Sequence, residues 1–325
     1  MVYNELGLVI TDRCNAECSF CAFGCSPAGA KVMPPELAKR MIDEAGALHF
    51  EMLGITGGES FLYPELMFEI LEYAKQAGFK ERHVATNGFW GSWEDEKLAE
   101  TAKRLKDCVD HVSFSFDSFH AEYIPVRSVW RAADALKKQG VAYKIHVADV
   151  YGERGAGPFL ASLGPESMYR GYRVYPLGRY GRAANMPDEL FVKFCPWNET
   201  DCRPGGAIAV DPDGKVYPCC NPAVVETCLS LGNVMNTSLS ELLSNNNKNM
   251  RYINAMRNPE LFRRLLAYVR DESGADIPEK VCEGCDLCNI IFKNPELSKK
   301  SLQYLDSICF EKFKESLIGR QGGGE

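Results

Sequence analysis

Short apolar runs alternate along the first half of the chain with longer segments whose apolar residues recur every three or four positions. Buried strands are predicted at 6–10, 51–56, 83–86, 111–116, 141–147 and 172–176, and amphipathic helices at 64–77, 93–106 and 129–138. This alternation predicts βα units around a parallel sheet. Glycine or polar residues follow several of the strands, so the carboxyl ends of the strands are the predicted ligand-binding edge.

The pattern changes after residue 190, where cysteines become frequent. Residues 207–219 predict a β-hairpin, because alternating flanks surround the turn sequence Asp211-Pro212-Asp213-Gly214. The hairpin would bring Cys219 back towards Cys202. We therefore divide the chain into a core domain at 1–190, a cysteine-rich domain at 191–315 and a flexible tail at 316–325.

Composition narrows the class of protein. The chain has 325 residues, 46% of them hydrophobic, and a net charge of −7, so no basic surface suggests a nucleic-acid partner. It lacks a long apolar run or a signal-peptide pattern, which predicts a cytoplasmic protein that does not span a membrane. Fourteen cysteines in such a protein suggest metal binding or catalysis rather than disulfides.

Three cysteines directly after the first strand carry the strongest chemical signal. Cys14, Cys18 and Cys21 have the spacing C-x₃-C-x₂-C, and three thiolates can hold an iron–sulfur cube while leaving one iron open. Cys25 follows closely, so a closed four-cysteine cluster or a zinc site is the alternative.

With Phe20 before the third cysteine, this motif resembles that of the radical S-adenosylmethionine (radical SAM) superfamily. The resemblance implies a partial (β/α)₆ barrel, a SAM-binding 4Fe–4S cluster and SAM, whose cleavage yields a 5′-deoxyadenosyl radical. The glycine-glycine-glutamate turn of that family corresponds to residues 57–59, with serine instead of proline at position 60. By resemblance, the predicted cofactor-binding residues are Phe20, Gly57, Gly58, Glu59, Asn87, Ser115 and Asp117. For Asn87 and Asp117, an ordinary tight turn and a helix cap are the alternatives.

The cysteine-rich part is similar to the SPASM or twitch extension of the same superfamily, which carries auxiliary 4Fe–4S clusters. The candidate ligands are Cys195, Cys202, Cys219, Cys282, Cys285, Cys288 and Cys309. Seven ligands are one short of two closed clusters. We expect two clusters, with Cys195, Cys202 and Cys219 around an open iron. One cluster of four cysteines is the main alternative, and a zinc site at Cys282, Cys285 and Cys288 is another.

Cys220 has no place in a cluster motif, although it follows a candidate ligand. A thiol gives a hydrogen atom readily to a carbon radical, so Cys220 is the predicted catalytic residue of an enzyme that inverts a carbon centre. The resemblance implies hydrogen abstraction from a ribosomally made peptide, for epimerisation or cross-linking, with a flavodoxin- or ferredoxin-type reductant. Because the chain starts at the first strand, we expect no separate leader-binding domain.

Two other functions remain open at this point. One is a dehydrogenase or mutase of a small alcohol or sugar, as in twitch enzymes. The other is a non-catalytic iron–sulfur electron-transfer protein, which would not need the turn at residues 57–59 to bind SAM.

Overall fold

Six parallel β-strands alternate with α-helices through the first 176 residues. The computed structural model describes residues 3–202 and 206–321. The alternating elements are β1 Glu5–Val9, α1 Pro35–Ala47, β2 Met52–Thr56, α2 Pro64–Gln76, β3 Glu81–Thr86, α3 Asp95–Cys108, β4 His111–Ser115, α4 Val126–Gln139, β5 Ala142–Asp149, α5 Ala156–Ser162 and β6 Tyr172–Pro176. Adjacent strands are neighbours in the sheet, so the predicted partial (β/α)₆ barrel is confirmed.

The two faces of the parallel sheet differ in chemistry because side chains alternate along each strand. Leu6 and Leu8 of β1 pack with the helices in the main hydrophobic core, as do Val112 and Phe114 of β4. The intervening residues face the barrel interior, and many of them are polar. The interior is therefore a polar chamber that is enclosed by an apolar layer.

A cysteine-rich segment extends the same sheet. Its strands are β7 Cys195–Pro196, β8 Ala207–Val210, β9 Lys215–Tyr217, β10 Gly232–Asn233 and β11 Lys280–Val281. β8 pairs parallel with β1, and β9 pairs antiparallel with β8, which confirms the predicted hairpin. The sheet order is β10-β9-β8-β1-β2-β3-β4-β5-β6, while β7 and β11 form a separate pair.

The hairpin shares a core with the barrel, although the sequence predicted a domain boundary before it. Ile208 and Val210 of β8 are fully buried with the apolar residues of β1. Burying both edges of β1 satisfies its backbone hydrogen-bonding groups, which an open edge would leave exposed. Residues 207–217 are therefore structurally part of the main sheet.

Five helices complete the described chain and enclose a second hydrophobic core. They are α6 Leu239–Leu242, α7 Lys248–Met256, α8 Pro259–Asp271, α9 Gly284–Lys293 and α10 Pro295–Gln321. Phe262, Leu265 and Phe292 are central to this core. Because α10 continues to Gln321, the first residues of the predicted tail are helical, and residues 322–325 lie outside the described residues. None of the helices in the described segments is long and apolar enough to cross a membrane.

Candidate active site and auxiliary cysteine site

A cavity of about 230 Å³ lies at the carboxyl ends of the parallel strands. Cys14, Cys18 and Cys21, on the loop after β1, line one side of it, and Cys25 lines it as well. The ends of β2, β3, β4 and β6 form the other walls. The fold thus brings the three predicted cluster cysteines to one ligand-sized space.

The cysteine loop is fixed by a close backbone contact with the turn after β2. The Gly58 N–H donates to the Thr11 carbonyl at 2.7 Å, and the Glu59 N–H donates to the Arg13 carbonyl at 2.9 Å. A methyl group at Gly58 would lie 1.9 Å from the Arg13 oxygen, and Gly57 has a positive φ of 142°. Two glycines are therefore required here, and both line the cavity.

Arg182 holds the same loop from the opposite side. Its Nε donates to the Cys18 carbonyl at 2.9 Å, and its terminal nitrogen donates to the Cys25 carbonyl at 2.8 Å. The Arg182 backbone N–H donates to the Cys21 carbonyl at 3.1 Å. The guanidinium therefore both orients the loop and places a positive charge beside its thiols.

Glu59 is fully buried and is occupied by protein hydrogen bonds. Its Oε1 accepts from the Phe61 N–H at 3.1 Å and the Thr86 hydroxyl at 2.8 Å, and its Oε2 accepts from the Asn87 N–H at 2.7 Å. Burial raises its pKa to about 7 despite these bonds. The side chain does not line the cavity, so a contact of this turn with SAM would run through its backbone carbonyls and stays a prediction. Glu59 is a positioning residue that joins the ends of β2 and β3.

Asn87, Ser115 and Phe20 all line the cavity, as predicted for cofactor-binding residues. The Asn87 amide nitrogen donates to Asn15 Oδ1 at 2.8 Å and lies 3.8 Å from Cys14 Sγ, while its oxygen accepts from the Phe89 N–H. The Phe20 ring packs against the Phe119 ring, with the two ring centroids 4.9 Å apart. These side chains surround the cysteines with one apolar and several polar groups.

Asp117 differs from the prediction because it is buried behind the cavity wall. Its Oδ1 accepts from the backbone N–H groups of Phe119 and His120 at 3.0 and 3.1 Å, which is the capping role named as the alternative. The same oxygen lies 2.9 Å from His120 Nδ1. Burial lowers the pKa of His120, but the Asp117 carboxylate outweighs burial and raises it overall. His120 lines the cavity, and its contact with Asp117 favours the charged form of the imidazole there.

The surroundings of the three thiols shift their pKa values in different directions. Burial raises the pKa of Cys14 to about 11 and that of Cys18 to about 12. A hydrogen bond with the Cys25 thiol is the main cause that lowers the pKa of Cys21. Cys25 therefore lies next to Cys21 in the same loop, and the closed four-cysteine alternative stays open.

A second cavity, of about 250 Å³, is lined by Cys220 and by four candidate ligands of the extension, Cys202, Cys219, Cys285 and Cys288; it is called the four-cysteine cavity after these ligands. Cys202 precedes β8, Cys219 follows β9, and the other two lie one turn apart on α9. Burial raises the pKa of each thiol, and each lies within electrostatic reach of others in the set. This is the donor set of a closed 4Fe–4S cluster.

Three other predicted ligands lie elsewhere. Cys195 belongs to β7 and pairs with Val281, Cys282 is buried beside Phe191, and Cys309 lies on α10. None of the three lines the four-cysteine cavity. The convergence of Cys202, Cys219, Cys285 and Cys288 favours the single-cluster alternative, whereas the expectation of two auxiliary clusters stays a prediction.

Cys220 lies between the two cavities. It is exposed and lines the four-cysteine cavity, whereas Pro222, two residues later, lines the cavity at the strand ends. Desolvation of the thiol by the surrounding protein raises the pKa of Cys220, and the nearby negative charge of the Glu5 carboxylate raises it further. Since Glu5 faces the barrel interior, the position of Cys220 suits a group that acts on a substrate inside the barrel.

A polar pair on the interior wall was not predicted from the sequence. Glu5 Oε1 of β1 lies 3.3 Å from His83 Nε2 of β3, and the two meet above Gly54 of β2. A methyl group at Gly54 would lie 2.6 Å from that nitrogen. The His83 ring also stacks on His111 with centroids 4.8 Å apart, and burial lowers its pKa to about 4. Histidines that alternate with apolar residues in predicted strands were the available signal.

Comparison with known proteins agrees with this geometry. The family model described as "Radical SAM superfamily" matches residues 8–151. The chain belongs to the radical SAM superfamily. The SPASM model, "Iron-sulfur cluster-binding domain", matches residues 202–288. The cofactors of this radical SAM protein are therefore a SAM-binding 4Fe–4S cluster, SAM and auxiliary iron–sulfur clusters.

Individual relatives cover most of the radical SAM chain. The "Putative peptide biosynthesis protein YydG" of Bacillus subtilis is 26% identical over 323 residues, which are 96% of this chain and all of that protein. The solved structure "Native anSMEcpe with bound AdoMet" has a TM-score of 0.58 at 16% identity and covers 94% of this chain and 98% of its own. SuiB of Streptococcus suis, bound to its precursor peptide SuiA, has a TM-score of 0.56 at 13% identity and covers 79% of this chain and 67% of its own. The two structures support the fold.

The two sets of extension cysteines should differ in iron binding. Changing Cys202, Cys219, Cys285 and Cys288 together to Ala should remove about four irons per chain, which is one cluster. The matched variant with Cys195, Cys282 and Cys309 changed to Ala should keep its full iron content. Iron and sulfide analysis after anaerobic reconstitution measures both. A loss of about four irons from the matched variant would contradict the single-cluster assignment.

Proposed function

We propose that this radical SAM enzyme epimerises a residue of a ribosomally made peptide. The observation that carries the proposal is the placement of Cys220. The SAM-binding cysteine loop follows β1 at the carboxyl end of the barrel, whereas Cys220 follows β9 and is influenced by Glu5 at the amino end of β1. A substrate carbon inside the barrel would lie between the cysteine loop, where a hydrogen atom is removed, and Cys220, which returns a hydrogen atom.

A peptide substrate is supported by the relatives. YydG, which matches this chain over nearly its whole length, is named for peptide biosynthesis, and AlbA of Bacillus subtilis, 34% identical over 116 residues, is named for the biosynthesis of the bacteriocin subtilosin. The AlbA match covers 35% of this chain and 24% of that protein. Together they favour a peptide over a small alcohol or sugar.

The residues of the first cavity have separate roles in this proposal. Cys14, Cys18 and Cys21 would hold the cluster, and the backbone of Gly57 and Gly58 would border SAM. When bound, the cluster and SAM supply an oxidant that removes one hydrogen atom from the substrate carbon. His120, whose charged form Asp117 favours, adds positive charge beside the cluster thiolates.

Cys220 would return the hydrogen atom from the opposite side. Its S–H bond breaks, a new C–H bond forms on the other face of the carbon, and a sulfur radical remains. One electron and one proton then restore the thiol. We propose a flavodoxin- or ferredoxin-type protein as the electron source, which suits a cytoplasmic location for these free thiols.

The four-cysteine site would stand next to this sulfur. Cys219, one of its four thiols, is the residue before Cys220, and both line the same cavity. A closed cluster at this position has no open iron for substrate, so its proposed role is to pass the electron that restores Cys220. The arrangement therefore assigns different tasks to the two groups of cysteines.

The core cysteines test whether the protein is a SAM-cleaving enzyme at all. Changing Cys14, Cys18 and Cys21 together to Ala should remove about four irons per chain and abolish the formation of 5′-deoxyadenosine, because no ligands for the SAM-binding cluster remain. Liquid chromatography of reactions with dithionite and SAM measures the product. Undiminished 5′-deoxyadenosine from the triple variant would contradict the assignment. A wild-type protein that binds iron without cleaving SAM would favour the electron-transfer alternative.

Changing Cys220 tests whether its thiol returns the hydrogen atom to the substrate carbon. Cys220→Ala should keep its iron content and cleave SAM, but it should lose more than about 90% of the epimerised product, because no thiol remains to return the hydrogen atom. Cys228→Ala removes another exposed cysteine and is the matched control, which should keep normal product formation. The substrates are synthetic peptides that correspond to short reading frames beside the gene.

Chiral amino-acid analysis of hydrolysed peptide distinguishes the outcomes. Normal turnover by Cys220→Ala would contradict the donor role. Loss of iron from this variant would make Cys220 a ligand instead. A cross-linked wild-type product with no change of configuration would replace epimerisation by cross-linking.

A further inference from the structure

The last strand of the barrel, β6, has an open edge beside the active-site cavity. β6 pairs with β5 on one side and ends the sheet on the other, so no described strand bonds to its outer edge. Its residue Tyr175 lines the cavity that holds the cluster cysteines. An extended segment on this edge would therefore run directly into the site of the chemistry.

The backbone register identifies which groups the edge offers. The Ile145 N–H donates to the Gly171 carbonyl, and the Leu177 N–H donates to the Asp149 carbonyl, at the two ends of the β5–β6 ladder. Alternate residues of a parallel strand bond to the same neighbour, so Arg173 and Tyr175 bond to β5. The N–H and C=O of Val174 consequently point to the open side.

The strand offers free backbone groups together with one apolar side chain on each face. Val174 is 47% exposed, and Tyr175, whose side chain lies on the opposite face, is 37% exposed and lines the cavity. Natural edge strands are commonly protected by charges, proline or a covering element. Here β6 carries one charge, Arg173, and its proline, Pro176, stands at the end of the strand. An edge strand with free backbone groups can bind an extended peptide by strand addition.

We propose that an extended segment of the peptide substrate adds to the sheet at the open edge of β6, paired with Val174. The inference rests on the proposed peptide substrate. A paired strand turns alternate side chains towards the barrel interior, and Tyr175 marks the level at which one of them would enter the cavity. Backbone pairing positions the segment without demanding a particular sequence, while the Val174 side chain contacts its outward-facing residues.

Val174→Pro tests this pairing with little effect on the fold, because the N–H it removes points away from β5 and proline is tolerated on edge strands. Val174→Ala, which keeps the N–H, is the matched control. The probe is the synthetic peptide that the wild-type holoenzyme converts. Val174→Pro should raise the KM for this peptide about tenfold, whereas Val174→Ala should change it less than about threefold. Both variants should keep iron content and peptide-independent SAM cleavage at the wild-type level.

A second measurement uses the unaltered enzyme and therefore does not depend on the folding of a variant. Peptides N-methylated at one residue at a time should bind the wild-type holoenzyme weakly at every second position of the paired segment, since only alternate N–H groups face β6. Equal effects of Val174→Pro and Val174→Ala on KM, or N-methylation effects without this alternation, would overturn the inference. A wild-type dimer that Val174→Pro converts to monomers would also overturn it, because a second copy would then occupy the edge. Failure of the wild type to convert any of the tested peptides would contradict the proposed function itself.

Discussion

The pairing of β1 with β8 fixes the relation between the two cysteine sites. Both strands run in the same direction, with Glu5 opposite Ala207 and Leu8 opposite Val210. The loop with Cys14 leaves the carboxyl end of β1, whereas Cys202 enters β8 at the amino end. Because β9 runs back along β8, Cys219 returns to that amino end. One backbone ladder thus sets the cluster-binding loop and the auxiliary cysteines at opposite ends of the barrel.

Buried polar side chains hold the backbone in place at each of the two cysteine sites through hydrogen bonds. Glu59 accepts three hydrogen bonds from the ends of neighbouring elements, and Arg182 bonds to the carbonyls of the cysteine loop. At the other end, Glu283 lines the four-cysteine cavity and accepts from the Tyr180 hydroxyl at 2.9 Å and the Asn221 amide at 3.2 Å. These contacts link the segment after β6 to the segment after Cys220. An unpaired buried carboxylate would be costly, so each of these networks resists rearrangement.

Periodicity and turn chemistry predicted the βα units, the parallel sheet and the hairpin, whereas the partial barrel was implied by the family resemblance. The six strands were found because their apolar runs are short and end in glycine or polar residues, and the hairpin was found because Asp-Pro-Asp-Gly favours a tight turn. The parallel pairing of β8 with β1 was not predicted, because a sequence pattern does not state which edge a later strand covers. For the same reason, spacing alone did not separate Cys285 and Cys288, which converge with Cys202 and Cys219, from Cys195, Cys282 and Cys309. Glu59 and Asp117 were located at the correct strand ends, but their burial depends on partners that are distant in sequence.

In the proposed reaction, one hydrogen atom leaves one face of a peptide carbon and another is returned to the opposite face. The most direct measurement is turnover of the peptide by the wild-type holoenzyme in deuterated water, followed by chiral analysis and mass spectrometry of each residue. A thiol exchanges its proton with solvent, so the epimerised residue should carry one deuterium at its α-carbon. An epimerised residue without deuterium, or a deuterated residue of unchanged configuration, would contradict the account.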